Sequence, residues 1–117
     1  MLAQVEYVPQ WLEVGNEEDL IDNSGICALI DDQQVAIFTL ASKGGRHTFA
    51  LGNWDPIGKA NVLYRGIVGS IGGEPVVASP LYKEHYSLIT GKCLENDGYA
   101  VPVYEVRVEM GKVQVAV

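Results

Sequence analysis

The chain has 117 residues and a mass of 12.7 kDa; 48% of the residues are apolar and 20% are charged. That is the size of one folded domain with the composition of a packed core, and it excludes a disordered chain or a coiled coil. Fifteen acids against eight bases give a net charge of −7, which argues against phosphate-neutralising contact with nucleic acid and against attraction to anionic membranes.

The charge is unevenly placed. Residues 1–42 carry eight acids (Glu6, Glu13, Glu17, Glu18, Asp19, Asp22, Asp31 and Asp32) and no base, whereas the other 75 carry seven acids and eight bases. An acidic third of this kind suits a solvated face or a basic protein partner. No apolar run approaches the roughly 18 residues of a membrane helix. Met1–Glu6 offers no basic stretch leading into an apolar one, so no export signal is expected. Cys27 and Cys93 stand far apart, and no Asn-x-Ser/Thr site is present. The expectation is a cytoplasmic protein with two buried thiols.

In chain order, strand signals dominate. Trp11-Leu12-Glu13-Val14 is a short edge-like run, and Glu17-Glu18-Asp19-Leu20 suits one helical turn. Gly25–Ile30 is apolar enough to be buried on both faces. Asp31-Asp32-Gln33-Gln34 then predicts a four-residue polar loop before the returning strand Val35–Leu40. Ser42–Gly45 turns the chain into a strand over Arg46–Leu51. Ile67–Ile71 and Glu74–Ser79 form a hairpin around Gly72-Gly73, with Pro75 at a strand start or edge. Tyr86–Leu88 and Lys92–Leu94 suggest a further short hairpin, and Asn96-Asp97-Gly98 a turn. Val101–Val108 reads as one alternating strand, which Gly111 turns back into Lys112–Val117. No segment carries helical period, and strands and turns recur roughly every 8–12 residues. The pattern is that of an all-β sandwich or barrel in one domain spanning 1–117.

Motifs for independent chemistry are few. Gly66-x-x-Gly69-x-x-Gly72 is not the dinucleotide fingerprint, and Gly58-Lys59 is followed by Ala60 rather than a magnesium-holding hydroxyl. Val68 stands where a nucleophile elbow around Ser70 needs glycine. His47 has no ligand spacing around it, His85 lies beside Glu84, and neither cysteine has a Cys-x-x-Cys partner. Two loops say more. Asn53-Trp54-Asp55-Pro56 closes one strand and Ser79-Pro80-Leu81-Tyr82 another, each placing two polar side chains on one loop tip.

This pair of loops resembles the cluster-binding loops of the Rieske family, Cys-x-His and Cys-Pro-x-His. The order, the proline and the following Tyr86-Ser87-Leu88 and Thr90-Gly91 all match. Asn53 and Ser79 stand in the cysteine positions, Asp55 and Tyr82 in the histidine positions. Two irons bridged by sulfide need two thiolates and two imidazoles, so the resemblance implies a Rieske-like antiparallel β-sandwich whose small cluster-loop subdomain is degenerate. Longer runs are similar to the small-subunit family of assimilatory NAD(P)H-dependent nitrite reductases. They include Trp11, Gly25–Leu29, Gln34–Phe38, Leu63-Tyr64-Arg65-Gly66, Val77–Leu81 and Tyr104–Val108.

That resemblance implies a large catalytic subunit as partner, carrying FAD, an iron–sulfur cluster and sirohaem. It also implies reduction of nitrite to ammonium in nitrate assimilation by that partner, with neither a cofactor, a metal nor catalytic residues in this chain. The expected contact surface is the loop tip, Asn53, Trp54, Asp55, Pro80, Leu81 and Tyr82, with Trp54, Leu81 and Tyr82 as apolar and aromatic anchors and Arg65 as a charged contact. Three alternatives stay open at this point: a stand-alone Rieske-type ferredoxin-like redox carrier, a hard-metal site between Asp55 and Tyr82, and a generic β-sandwich binding module.

Overall fold

The computed structural model describes residues 10–117, so Met1–Glu6 and its charge Glu6 lie outside the described residues. Twelve strands run β1 Trp11–Asn16, β2 Ser24–Ile30, β3 Gln33–Ser42, β4 Gly45–Gly52, β5 Trp54–Asp55, β6 Ala60–Asn61, β7 Ile67–Ile71, β8 Glu74–Ala78, β9 His85–Ser87, β10 Val103–Tyr104, β11 Val106–Glu109 and β12 Lys112–Ala116. The two helical pieces are 3₁₀ turns, Glu17–Asp19 and Leu63–Arg65. All named strand pairs are antiparallel.

The strands form a three-stranded sheet β1-β12-β11, a four-stranded sheet β10-β4-β3-β2, a small sheet β7-β8-β9 and the two-residue pair β5-β6. The sequence of β3 explains how they stack. Successive side chains on a strand point to opposite faces, and β3 is apolar at every position from Val35 to Phe38. Val35 and Ile37 join Leu20, Ile30, Ala50, Val113 and Val115 in one core, against the β1-β12-β11 sheet. Ala36 and Phe38 join Leu51, Leu63, Val77, Tyr86, Leu88, Cys93 and Val101 in the other, against β7-β8-β9 and its loops. The central sheet is thus covered on both faces, and the second core carries the two loops singled out above.

Several details depart from the expectations. The β2–β3 connection is two residues, not four: Asp31 and Asp32 have φ of 47° and 66°, and Gln33 already pairs with Ile30. This is the geometry of a type I′ turn, whose twist matches the flanking strands and whose left-handed positions Asp tolerates. β2 is not buried on both faces; it is a sheet edge, and Cys27 and Leu29 are exposed where no second layer reaches them. Of the two thiols only Cys93 is buried, and both are free. Val101–Val108 is not one strand but two. β10 pairs with β4 and β11 with β12, and the chain changes sheets at Glu105, whose carbonyl accepts from the Ala116 N–H at 2.9 Å. The short hairpin after the second loop shrinks to β9 and a single Tyr86–Cys93 bridge. Pro75 sits at the start of β8, a central strand, and its free carbonyl accepts from the Leu88 N–H at 2.9 Å.

Candidate functional site

The first loop leaves β4 at Gly52. Asn53, the next residue, is fully buried. Its backbone N–H donates to the Gln34 carbonyl at 3.0 Å, and its carbonyl accepts from the Leu63 N–H at 3.2 Å. Its side-chain amide donates to Gln34 Oε1 at 3.0 Å and accepts from the Tyr64 N–H at 2.8 Å. Asn53 therefore ties the Leu63–Arg65 turn to β3 with both ends of its amide. The Cys27 sulfur lies 3.7 Å from the same Nδ2, and its partial burial there pushes the thiol pKa up, which keeps it a neutral thiol.

Asp55 is the centre of the arrangement. It is fully buried, on the short β5–β6 hairpin. Its carboxylate accepts from the Ser79 hydroxyl at 2.5 Å, the Tyr86 hydroxyl at 2.8 Å and the Ile57 N–H at 2.9 Å. Burial by itself would raise the Asp55 pKa. The Ser79 hydroxyl, the Gly58 N–H, the Tyr86 hydroxyl and the Ile57 N–H outweigh it and hold the carboxyl below its ordinary value. Tyr86 moves the other way: burial first, then its bond to Asp55 and the nearby charge, drive its pKa far up. At neutral pH the pair is a carboxylate and a phenol, acceptor and donor, each stabilising the other's state.

Ser79 brings in the second loop. Its N–H donates to the Glu84 carbonyl at 2.8 Å, its carbonyl accepts from Lys83 at 3.0 Å, and its hydroxyl oxygen also accepts from the Leu81 N–H at 3.3 Å. The Ser79–Asp55 bond is the direct polar link between the two loops. Gly58 lets them come this close. A Cβ there would lie 2.5 Å from Leu81 Cδ1 and 2.9 Å from Asp55 Oδ2.

The four degenerate ligand positions are therefore not brought together. Asn53 faces Gln34 and Tyr64, Asp55 and Ser79 bond to each other, and Tyr82 is 65% exposed. A further partner of Asp55 is Tyr86, which the sequence offered as a strand residue matching the run after the second loop but not as a partner of the first. Its offset of one alternation from Leu88, facing the same core, was the available signal. Gln34, read from the sequence as a loop residue opening the run Gln34–Phe38, gave no sign that it meets Asn53. The residues present do not fit a Rieske cluster. The donors are an amide, a carboxylate, an alcohol and a phenol, and the first three are buried and already hydrogen-bonded, Asn53 to Gln34 and Tyr64, Asp55 to Ser79 and Tyr86. The hard-metal alternative loses its geometry for the same reason, since Asp55 is enclosed and Tyr82 is not. Among the described residues no group of three or more His, Cys, Asp or Glu side chains is placed to hold a metal.

Above this sealed floor lies an apolar tip. Trp54 is 49% exposed, Leu81 46% and Tyr82 65%, with Pro80 beside them. Ile67, at the start of β7 next to Arg65, is 78% exposed and was not singled out by the sequence. Arg65 is exposed but ordered: its Nε donates to the Tyr64 hydroxyl at 2.7 Å and its guanidinium lies 5.3 Å from that ring's centroid.

Residues 10–116 match the family described as Rieske-like [2Fe-2S] domain. The chain is 40% identical over 105 residues to the NADH nitrite reductase small subunit of Escherichia coli K12, covering 90% of this chain and 95% of that one. It belongs to the nitrite reductase small-subunit family, within the Rieske-like domains. The NMR structure of the Escherichia coli protein NirD agrees in fold, with a TM-score of 0.82 at 39% identity over 94% of this chain and 98% of that one. A stretch of the NAD(P)H nitrite reductase large subunit of Klebsiella oxytoca is 38% identical over 90% of this chain, and takes up 11% of that much longer protein. The fold and the family expected from the sequence both stand. Among the described residues no helix is long and apolar enough to cross a membrane.

Proposed function

We propose that this chain is the small subunit of a cytoplasmic NAD(P)H-dependent nitrite reductase, and that it works as one docking domain on the large catalytic subunit. It holds no cofactor and no catalytic residue. The large subunit carries FAD, an iron–sulfur cluster and sirohaem, and reduces nitrite to ammonium. The observation that carries the docking reading is the Asp55–Ser79 hydrogen bond, which joins the loops a cluster would otherwise join and leaves Trp54, Leu81 and Tyr82 exposed above it. Small-subunit identity over nearly both full chains supports the assignment. The Klebsiella relative supports the partner, because there a domain of this kind is continuous with the large subunit itself.

Trp54, Pro80, Leu81 and Tyr82 form the contact face, with Ile67 and the pre-ordered Arg65 at its side. Aromatic and arginine anchors on an apolar patch are the composition of an interface core. Co-purification with the large subunit tests the reading. Leu81→Ala and Tyr82→Ala together should weaken the complex by about tenfold or more, as loss of two interface anchors does, while leaving the far-ultraviolet spectrum of the small subunit unchanged. Undiminished binding of the double variant would remove the tip from the interface. Iron and acid-labile sulfide in stoichiometric amounts in the purified small subunit would overturn the cofactor-free reading and restore the ferredoxin one.

A further inference from the structure

A cleft of about 320 Å³ opens beside the tip, between the β2–β3 turn, Trp54 and the segment leading into β10. Its lining contains one charged side chain, Asp32, and two aromatic ones, Trp54 and Tyr104. Asp32 is exposed and has no ion-pair partner among the described residues. Gln33 contributes an amide oxygen, which accepts from the Tyr104 hydroxyl at 3.4 Å and keeps a free lone pair. The floor is Asn53, whose amide already donates to Gln34 Oε1 and accepts from the Tyr64 N–H. No base lines the cleft, so an anion finds no counter-charge there.

We propose that this cleft is a socket for an arginine side chain of the large subunit. The proposal rests on the small-subunit reading and extends its interface from the loop tip, through the shared Trp54, to the β2–β3 turn. A carboxylate and an amide oxygen accept from the forked N–H groups of a guanidinium, while the exposed Trp54 and the half-buried Tyr104 offer aromatic surface to its plane and its apolar stem. The chain's own Arg107 shows the contact in miniature, its guanidinium lying 4.1 Å from the ring centroid of Trp11. Lysine offers a point charge that neither the fork of acceptors nor the flat faces match as well.

Asp32→Asn is the discriminating variant, because asparagine tolerates the left-handed backbone of this turn at least as well as aspartate. It removes the charge and keeps the fold. Binding of purified large subunit should weaken about tenfold at low ionic strength, the size of one lost charge-assisted contact. The gap between variant and wild type should shrink as salt is added. On the isolated chain, methylguanidinium should shift the NMR signals of the Trp54 indole N–H and the Gln33 amide, and the shifts should diminish in Asp32→Asn. Absence of shifts in the wild type overturns the socket. Equal affinity of variant and wild type at both salt concentrations also overturns it, and if Leu81→Ala/Tyr82→Ala still weakens the complex, the tip reading survives alone. A change in self-association with none in large-subunit binding overturns it in favour of a second copy as occupant.

Discussion

Asp55 carries a negative charge where water does not reach, and its stability rests on four donors aimed at it. In Asp55→Asn one carboxylate oxygen becomes an N–H₂ facing the hydroxyl and N–H donors around it. The expected cost is about 2–3 kcal/mol, for unpaired buried polar groups and lost charge-assisted bonds, read by chemical denaturation. Tyr86→Phe removes one donor and should cost about 1–1.5 kcal/mol. The pKa directions give the pH dependence. Asp55 is depressed in the folded state, so its contribution is complete well above the unfolded value of about 4 and is lost as pH falls through that value towards the folded one. Tyr86 is raised, so its contribution is complete below the unfolded value of about 10 and fades as pH rises past it. Unfolding measured against pH should therefore show a plateau between about pH 5 and 9. Asp55→Asn flattens its acid edge and Tyr86→Phe its alkaline edge; an unchanged acid edge in Asp55→Asn would contradict the depressed carboxyl.

At the scale of elements, the turns are where residue chemistry meets backbone geometry. Met110 and Gly111 join β11 to β12 with φ of 51° and 76°, and Met110 is 96% exposed. A methionine pays for left-handed backbone there and gains no burial. Met110→Asn should stabilise the protein by about 0.5–1 kcal/mol, seen as a rise of a few degrees in melting temperature. Phe38, on β3 opposite Phe49 of β4, is fully buried in the core that holds the loops. Phe38→Ala should cost about 3–5 kcal/mol. The run of β-branched and aromatic residues in β3 made the strand legible in the sequence but not its burial on both faces, and the glycine pair of the β7–β8 turn marked that hairpin in advance. The exposure of β2 was not legible, because an edge strand with apolar residues reads like a central one until its neighbours are known. Nor was the break at Glu105, since a strand that changes sheets keeps its alternation.

Across the whole molecule, the acids between residues 17 and 32 lie at two ends. Asp31 and Asp32 lie at the loop end of the central sheet. Asp22 bridges Thr39, six residues further along β3 from Gln33, about 20 Å at strand spacing, and pairs with Arg46 at 2.7 Å. Glu17 and Glu18 share that far end with Arg46 and Lys112. A basic partner seated on the loop tip therefore meets the first group and not the second. Glu17→Gln/Glu18→Gln should change large-subunit affinity by less than about twofold in the same binding assay, since charges beyond a Debye length are screened; a larger loss would place the partner on the opposite end.

The sequence alone determined the fold class and the family, and it singled out the two loops and the donors expected at their tips, because each of these is written in local pattern or in residue identity. Alternation sets strand faces, turn residues set hairpins, and an amide, a carboxylate, an alcohol and a phenol cannot stand in for thiolate and imidazole whatever surrounds them. Only the tertiary structure decided how the two loops are held together. Tyr82, expected at a ligand position, is exposed, while Tyr86, four residues on, reaches Asp55 from β9. The bond between Asp55 and Ser79 spans 24 positions of sequence, and Gln34 meets Asn53 from a different strand. Partners so distant are chosen by which strands share a layer and how closely the loops approach, and those are properties of the packed chain that no local spacing encodes.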